Sequence, residues 1–111
     1  MHDLVLALLE LQELEIILQE SRIVHGQKRP EKVDNVESRV EKLRGEIPVS
    51  FLKRYDGLRR SGLGAVREFE GFCNSCHLKV PKGDLNRMRR GKMPWICPNC
   101  GRFFLLSEEK R

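Results

Sequence analysis

Large rings and long apolar runs are what this sequence has least of. Seven of its 111 residues are aromatic, and its longest apolar stretch is Leu4–Leu9. Spanning a bilayer takes roughly 20 apolar residues, so no membrane protein is expected. Also missing are a phosphate-cradling glycine loop, a Ser/His/Asp set and a pair of carboxylates beside a reactive group, which excludes the common enzyme classes. Nor does the start resemble a secretory leader, which is basic and then apolar, because Asp3, Glu10, Glu13, Glu15 and Glu20 crowd the first twenty residues. The chain is therefore expected in the cytoplasm with its thiols reduced. Its length leaves room for one domain, or a small domain with an appendage.

What is present is charge, unevenly spread. Lys and Arg number 21 against 16 Asp and Glu, a net +5. Residues 1–44 hold seven basic and nine acidic residues, net −2, whereas residues 45–111 hold fourteen and seven, net +7. The two parts are suited to different partners.

The acidic part reads as helical. Thirteen of the 21 residues from Leu4 to Val24 are apolar, and Leu4, Ala7, Leu11, Leu14 and Leu18 share one seam at 3-4 spacing, which predicts a first helix over about Asp3–Val24. His25, Gly26 and Pro30 supply stop and turn signals. Val33, Val36, Val40, Leu43 and Ile47 then repeat at 3-4-3-4 among charged residues, an amphipathic second helix able to lie antiparallel on the first. Five apolar residues cannot cover thirteen. Either the segment holding Phe51, Leu52, Tyr55 and Leu58 folds back, or the first helix self-associates into a homo-oligomeric bundle. A third helix is expected from Pro48 to about Arg60, ended by Ser61, Gly62 and Gly64.

The chemistry lies further on, in Cys73-Asn74-Ser75-Cys76, twenty intervening residues, and Cys97-Pro98-Asn99-Cys100. Two residues between cysteines let both thiolates of a tight turn face one ion, and two such turns complete a closed tetrahedral set, so Cys73, Cys76, Cys97 and Cys100 are the expected ligands of one structural zinc. Gly101 after the second pair suits a positive φ, and His77 holds the matching place after the first. Cys73–His77 also spells a haem-attachment motif, but few aromatics are available for a haem pocket and the second cysteine pair would be left unexplained. An iron site of rubredoxin type uses similar pairs, because cysteine geometry does not select the metal. The 43 residues from Gly64 to Leu106 are too few to bury a stabilising core alone, whereas structural zinc contributes on the order of 10 to 16 kcal/mol of apparent binding free energy. Short strands are expected at about Ala65–Phe69, Met93–Ile96 and Arg102–Leu105, with Asp84 capping a brief helical turn that Gly91 stops. Trp95, Phe103 and Phe104 supply the small core. The fold class is thus α+β: a helical hairpin over residues 1–45, a connecting helix over 46–62 and a four-cysteine zinc ribbon over 63–111.

These motifs, together with Ile47-Pro48, Phe51-Leu52-x-x-Tyr55-x-x-Leu58-Arg59, Gly64-Ala65-Val66, Val80-Pro81 and Asn86-x-x-x-Arg90-Gly91, resemble a bacterial four-cysteine zinc-ribbon family with an N-terminal coiled-coil hairpin. The likeness covers about residues 45–104. It implies a non-catalytic adaptor whose partners include the nitrogen-class alternative sigma factor, flagellar or secretion machinery, and RNA. Two departures stand out: the hairpin is much shorter than is usual there, and Ser75 stands where glycine is frequent. Independently of that likeness, Lys79, Lys82, Arg87, Arg89, Arg90, Lys92 and Arg102 meet only Asp84 between the knuckles, a candidate phosphate-contacting face for RNA or DNA. Arg87, Arg89, Arg90 and Lys92 are its expected centre, and a protein partner is the alternative.

Overall fold

The computed structural model describes residues 1–25 and 31–107, with side chains at 1–20 and 35–107. The chain is α+β. Helix α1 spans His2–His25, α2 Glu31–Glu46, α3 Val49–Arg59 and α4 Lys82–Arg89, while strands β1 Ala65–Phe69, β2 Phe72–Cys73 and β3 Phe103–Leu105 form one sheet. The turn expected at Gly26 and Pro30 lies outside the described residues. No described helix is long and apolar enough to cross a membrane.

Proline starts both short helices. Pro48 and Pro81 occupy the N-cap positions of α3 and α4 with φ −57° and ψ 142°, and their carbonyls accept from Phe51 and Leu52, and from Asp84 and Leu85, respectively. Asp84 is therefore not the cap. It lies inside the first turn and pairs with Arg87 at 2.7 Å, because the extended backbone at Pro81 already sets the start of the helix. Gly91, with φ +73°, does stop that turn, as its position predicted.

The sheet order is β2-β1-β3, antiparallel at β1–β2 and parallel at β1–β3. The expected strand at Met93–Ile96 does not form. Pro94 has no N–H to give, Ile96 N–H folds back onto the Pro94 carbonyl at 2.8 Å, and Cys97 must turn at once into its knuckle, so only an isolated Ile96–Phe103 bridge remains. In its place the two-residue β2 pairs with β1 across a tight turn in which Glu70 and Gly71 both have positive φ, 51° and 86°.

Alternation along the strands gives the sheet two apolar faces. Ala65, Phe103 and Leu105 point to the helices and join Val5, Leu8, Leu9, Leu11, Leu18, Val40, Leu43, Ile47 and Tyr55. Val66 and Phe104 point the other way, to Cys73, Val80, Leu85, Met88, Cys97 and Leu106, and Trp95 packs against both clusters. Of the expected small core, Phe104 thus serves the cysteine side, while Phe103 turns to the helices and meets Phe51 with ring centroids 5.8 Å apart.

Much of the apolar surplus on the described part of α1 is covered from within the chain. Helix α2, β1 and β3 pack on it, Phe51, Leu52 and Leu58 pack against the same cluster, and Leu11 and Leu14 of the expected association seam belong to this internal cluster. Leu6 and Ile17 stay about half exposed. A polar clamp fixes the arrangement: buried Gln12 accepts from Gly64 N–H at 2.8 Å and Ala65 N–H at 3.1 Å, and donates to the Ala65 carbonyl at 2.9 Å. Beside it Tyr55 donates to Glu15 at 2.7 Å, and Arg44 bridges Glu15 and Asp56 at 2.7 and 2.8 Å. Gly64 has to be glycine, since a Cβ there would stand 2.5 Å from the Tyr55 ring.

Candidate metal centre and basic surface

Two turns of the same design deliver the cysteines. In the first, His77 N–H donates to the Cys73 carbonyl at 2.9 Å and Cys73 N–H to Leu78 at 3.1 Å; in the second, Gly101 N–H donates to Cys97 at 2.9 Å and Cys97 N–H to Arg102 at 2.9 Å. The pivot residues, His77 at φ +61° and Gly101 at +77°, occupy equivalent places in the left-handed region, as the sequence predicted. Arg54 of α3 reaches over the second turn and donates to the Gly101 carbonyl at 2.8 Å.

The four sulfurs converge so that all lie within 4.8 Å of one another. Cys73 Sγ and Cys100 Sγ are 3.7 Å apart, and Cys76 Sγ and Cys97 Sγ 3.9 Å. Metal–sulfur bonds of about 2.3 Å in a regular tetrahedron separate sulfurs by about 3.8 Å, whereas a disulfide brings them to about 2.05 Å. The thiols are free, so the donor set fits one tetrahedral ion. His77 is exposed and outside the cluster. Without an ion the thiols titrate apart. Burial pushes Cys73 up and Cys97 up to about 12; at Cys100 burial is outweighed by the Arg102 amide and the neighbouring sulfurs, which bring it down to about 7. An ion must displace protons from the buried pair, which makes its binding weaker in acid. Four protein ligands leave no open coordination position.

The basic residues do not form one uniform face. Arg87 is committed to Asp84, and Arg102 donates to the Leu63 carbonyl at 2.7 Å. Arg89 reaches the Glu68 carboxylate at 3.5 Å, and this nearly buried group also accepts from Gly71 N–H and from the Ser107 amide and hydroxyl. Lys79, Lys82, Arg90 and Lys92 are exposed and have no carboxylate partner among the described residues. Lys79 and Lys82 line a shallow cleft of about 480 Å³, and Lys92 lines another of about 470 Å³ with Met1, His2, Met93 and Trp95; Arg89 borders both.

Sequence reasoning missed one surface feature. Phe69 is 68% exposed, Phe72 45% and Leu78 54%, all beside the first knuckle. The one sequence signal was the Phe-Glu-Gly-Phe string over residues 69–72, a hairpin turn flanked by rings.

No family model, no curated protein and no solved structure matches this chain.

Proposed function

We propose that Cys73, Cys76, Cys97 and Cys100 hold one structural zinc ion, that residues 63–111 are a zinc ribbon, and that the chain is a non-catalytic adaptor that binds single-stranded nucleic acid. The sulfur spacing supports a tetrahedral thiolate ion, and zinc is the ion that needs neither redox chemistry nor an open position to serve as a brace. The nucleic-acid reading is carried by Lys79, Lys82, Arg90 and Lys92, four exposed cations without carboxylate partners among the described residues. They stand on short segments anchored by the knuckles, so the backbone is positioned while long side chains reach outward to phosphate.

The test is binding of the metal-loaded chain to a single-stranded oligonucleotide as salt is raised. Affinity should fall with a log–log slope of about −0.7 for each phosphate neutralised. Changing Lys79, Lys82, Arg90 and Lys92 together to Gln should flatten that slope and leave metal content intact. An unchanged slope would remove these residues from the interface. A protein partner is the second reading, favoured by the methionine- and tryptophan-lined cleft at Met1, Met93 and Trp95. Capture from cell extract that survives nuclease and is lost on Met93→Glu would decide for it. The sigma-factor, flagellar and secretion roles that the family likeness implies belong to that arm.

A further inference from the structure

Two of the seven aromatic residues of this chain are placed at the surface, side by side. Tyr55, Phe103 and Phe104 are fully buried, and Phe51 and Trp95 pack partly into the core, yet Phe69 and Phe72 face solvent at the tip of the β1–β2 hairpin. Nothing in the hairpin requires rings there, since the tight turn is set by Glu70 and Gly71 and the strand by its pairing.

Register shows what surrounds them. Phe69 is directly opposite Phe72, and Phe72 directly opposite Lys79, so the three side chains form a row on one face of the hairpin. Arg67, two residues before Phe69 on β1, shares that face at a strand spacing of about 7 Å. Its one ion pair among the described residues, to Glu13 at 3.7 Å, joins two exposed side chains and is readily exchanged. Cys73 and Val80, on the opposite face, are buried in the core. The result is two adjacent rings with Lys79 at one end of the row and Arg67 beside Phe69 along β1.

We propose that Phe69 and Phe72, flanked by Arg67 and Lys79, are a base-stacking platform for single-stranded nucleic acid. This deepens the nucleic-acid reading and rests on it. Every base has a π-face, so paired exposed rings hold unpaired bases without regard to sequence, and the flanking cations meet the phosphates on either side. Charge favours an anionic occupant, because Arg67 and Lys79 stand beside the rings and the Glu68 carboxylate is turned inward to Arg89 and Ser107; among anionic partners, unpaired bases are the ones that add faces to stack on both rings. Exposed Glu70 on the turn opposes phosphate and sets a limit on affinity.

The experiment measures fluorescence anisotropy of the full, metal-loaded chain with a labelled oligo-dT of about 12 nucleotides, within the site sizes of single-strand binders. A strand of equal length without bases, and a duplex, are run beside it at low salt. The wild-type chain should bind oligo-dT at least about tenfold more tightly than the abasic strand. Phe69→Ala with Phe72→Ala should abolish that preference and leave abasic binding and metal content unchanged. Phe69→Trp with Phe72→Trp should restore it, and Glu70→Gln should tighten binding to both strands. Equal wild-type affinity for oligo-dT, abasic strand and duplex would overturn the platform and leave the nucleic-acid reading standing. The same holds if the double alanine variant keeps its preference. Failure of the wild-type chain to bind any strand would overturn both. If the double variant instead loses only a protein recovered from extract, the rings are an apolar protein contact and the platform is rejected.

Discussion

The two faces of the three-stranded sheet are closed by different chemistry. On the helical side, Val5, Leu8, Leu11, Val40, Leu43 and Tyr55 bury a continuous apolar cluster, and Gln12, Glu15, Arg44 and Asp56 lock its rim with directed polar contacts. On the cysteine side the apolar cluster is smaller, two of its members are the cysteines Cys73 and Cys97, and the sulfurs themselves are a structural element. One side holds by area, while the other gathers four thiols in a set that could hold an ion. The sheet belongs to both, so the difference is a difference in how each side fails.

The sharpest way to break that contrast is to remove the ion. Cys97→Ser, or a chelator, should leave residues 70–102 without fixed tertiary packing, because the on-the-order-of 10 to 16 kcal/mol of a structural zinc has no replacement there, whereas Ala65, Phe103 and Leu105 keep the helical core. The helices should persist in far-ultraviolet circular dichroism. Well-dispersed amide resonances from residues 70–102 in the metal-free variant would refute a structural metal.

Next in size is the clamp that joins the two sides. Gln12→Ala strands the Gly64 and Ala65 amides and the Ala65 carbonyl in a buried place, which should cost about 3 kcal/mol in urea unfolding. The metal should stay bound. A loss below about 0.5 kcal/mol would mean that water replaces the amide and that the clamp is dispensable.

The smallest effect isolates the helical side by pH. Burial, with the Glu15 hydrogen bond, pushes Tyr55 above its ordinary value of 10.0. A raised pKa means that the folded state holds the proton more tightly, so the stabilisation is full below about pH 10 and is lost as pH rises beyond it. As the chain has one tyrosine, phenolate absorbance reports this group alone. It should stay un-ionised in the folded chain at a pH where the urea-unfolded chain has ionised. Tyr55→Phe should remove the alkaline loss and cost about 1 kcal/mol at neutral pH.

The sequence made the cysteine set legible because ligand spacing is geometry written directly in residue number, and the helices legible because a 3-4 stripe is their period. Strand β2 was invisible for the opposite reason: two residues have no period. Met93–Ile96 looked like a strand by its apolar content, yet Pro94 and the knuckle geometry decided otherwise. Gln12 gave no signal either. It interrupts an apolar run, and its partners lie 52 and 53 residues away. The basic residues were found, but which of them are tied up depended on Asp84, Glu68 and the Leu63 carbonyl, a matter of approach angle that composition does not record.

The two cysteine turns, alike in their hydrogen bonds, differ at the pivot, and the difference bears on order in time. Glycine enters the left-handed region without steric penalty, while a residue with a side chain pays about 1 kcal/mol to sit there. Before any ion arrives, the turn ending in Gly101 is therefore formed more often than the turn ending in His77, by a factor of about five. If the four thiols take up the proposed ion, capture is expected first at Cys97 and Cys100, with Cys73 and Cys76 closing afterwards. Replacement of His77 by glycine should shorten the closing phase in rapid-mixing metal uptake without changing the number of ions bound, and unchanged kinetics would place the slow step elsewhere. The pivot residue would then act as a timer on assembly, written into one of two otherwise equivalent turns.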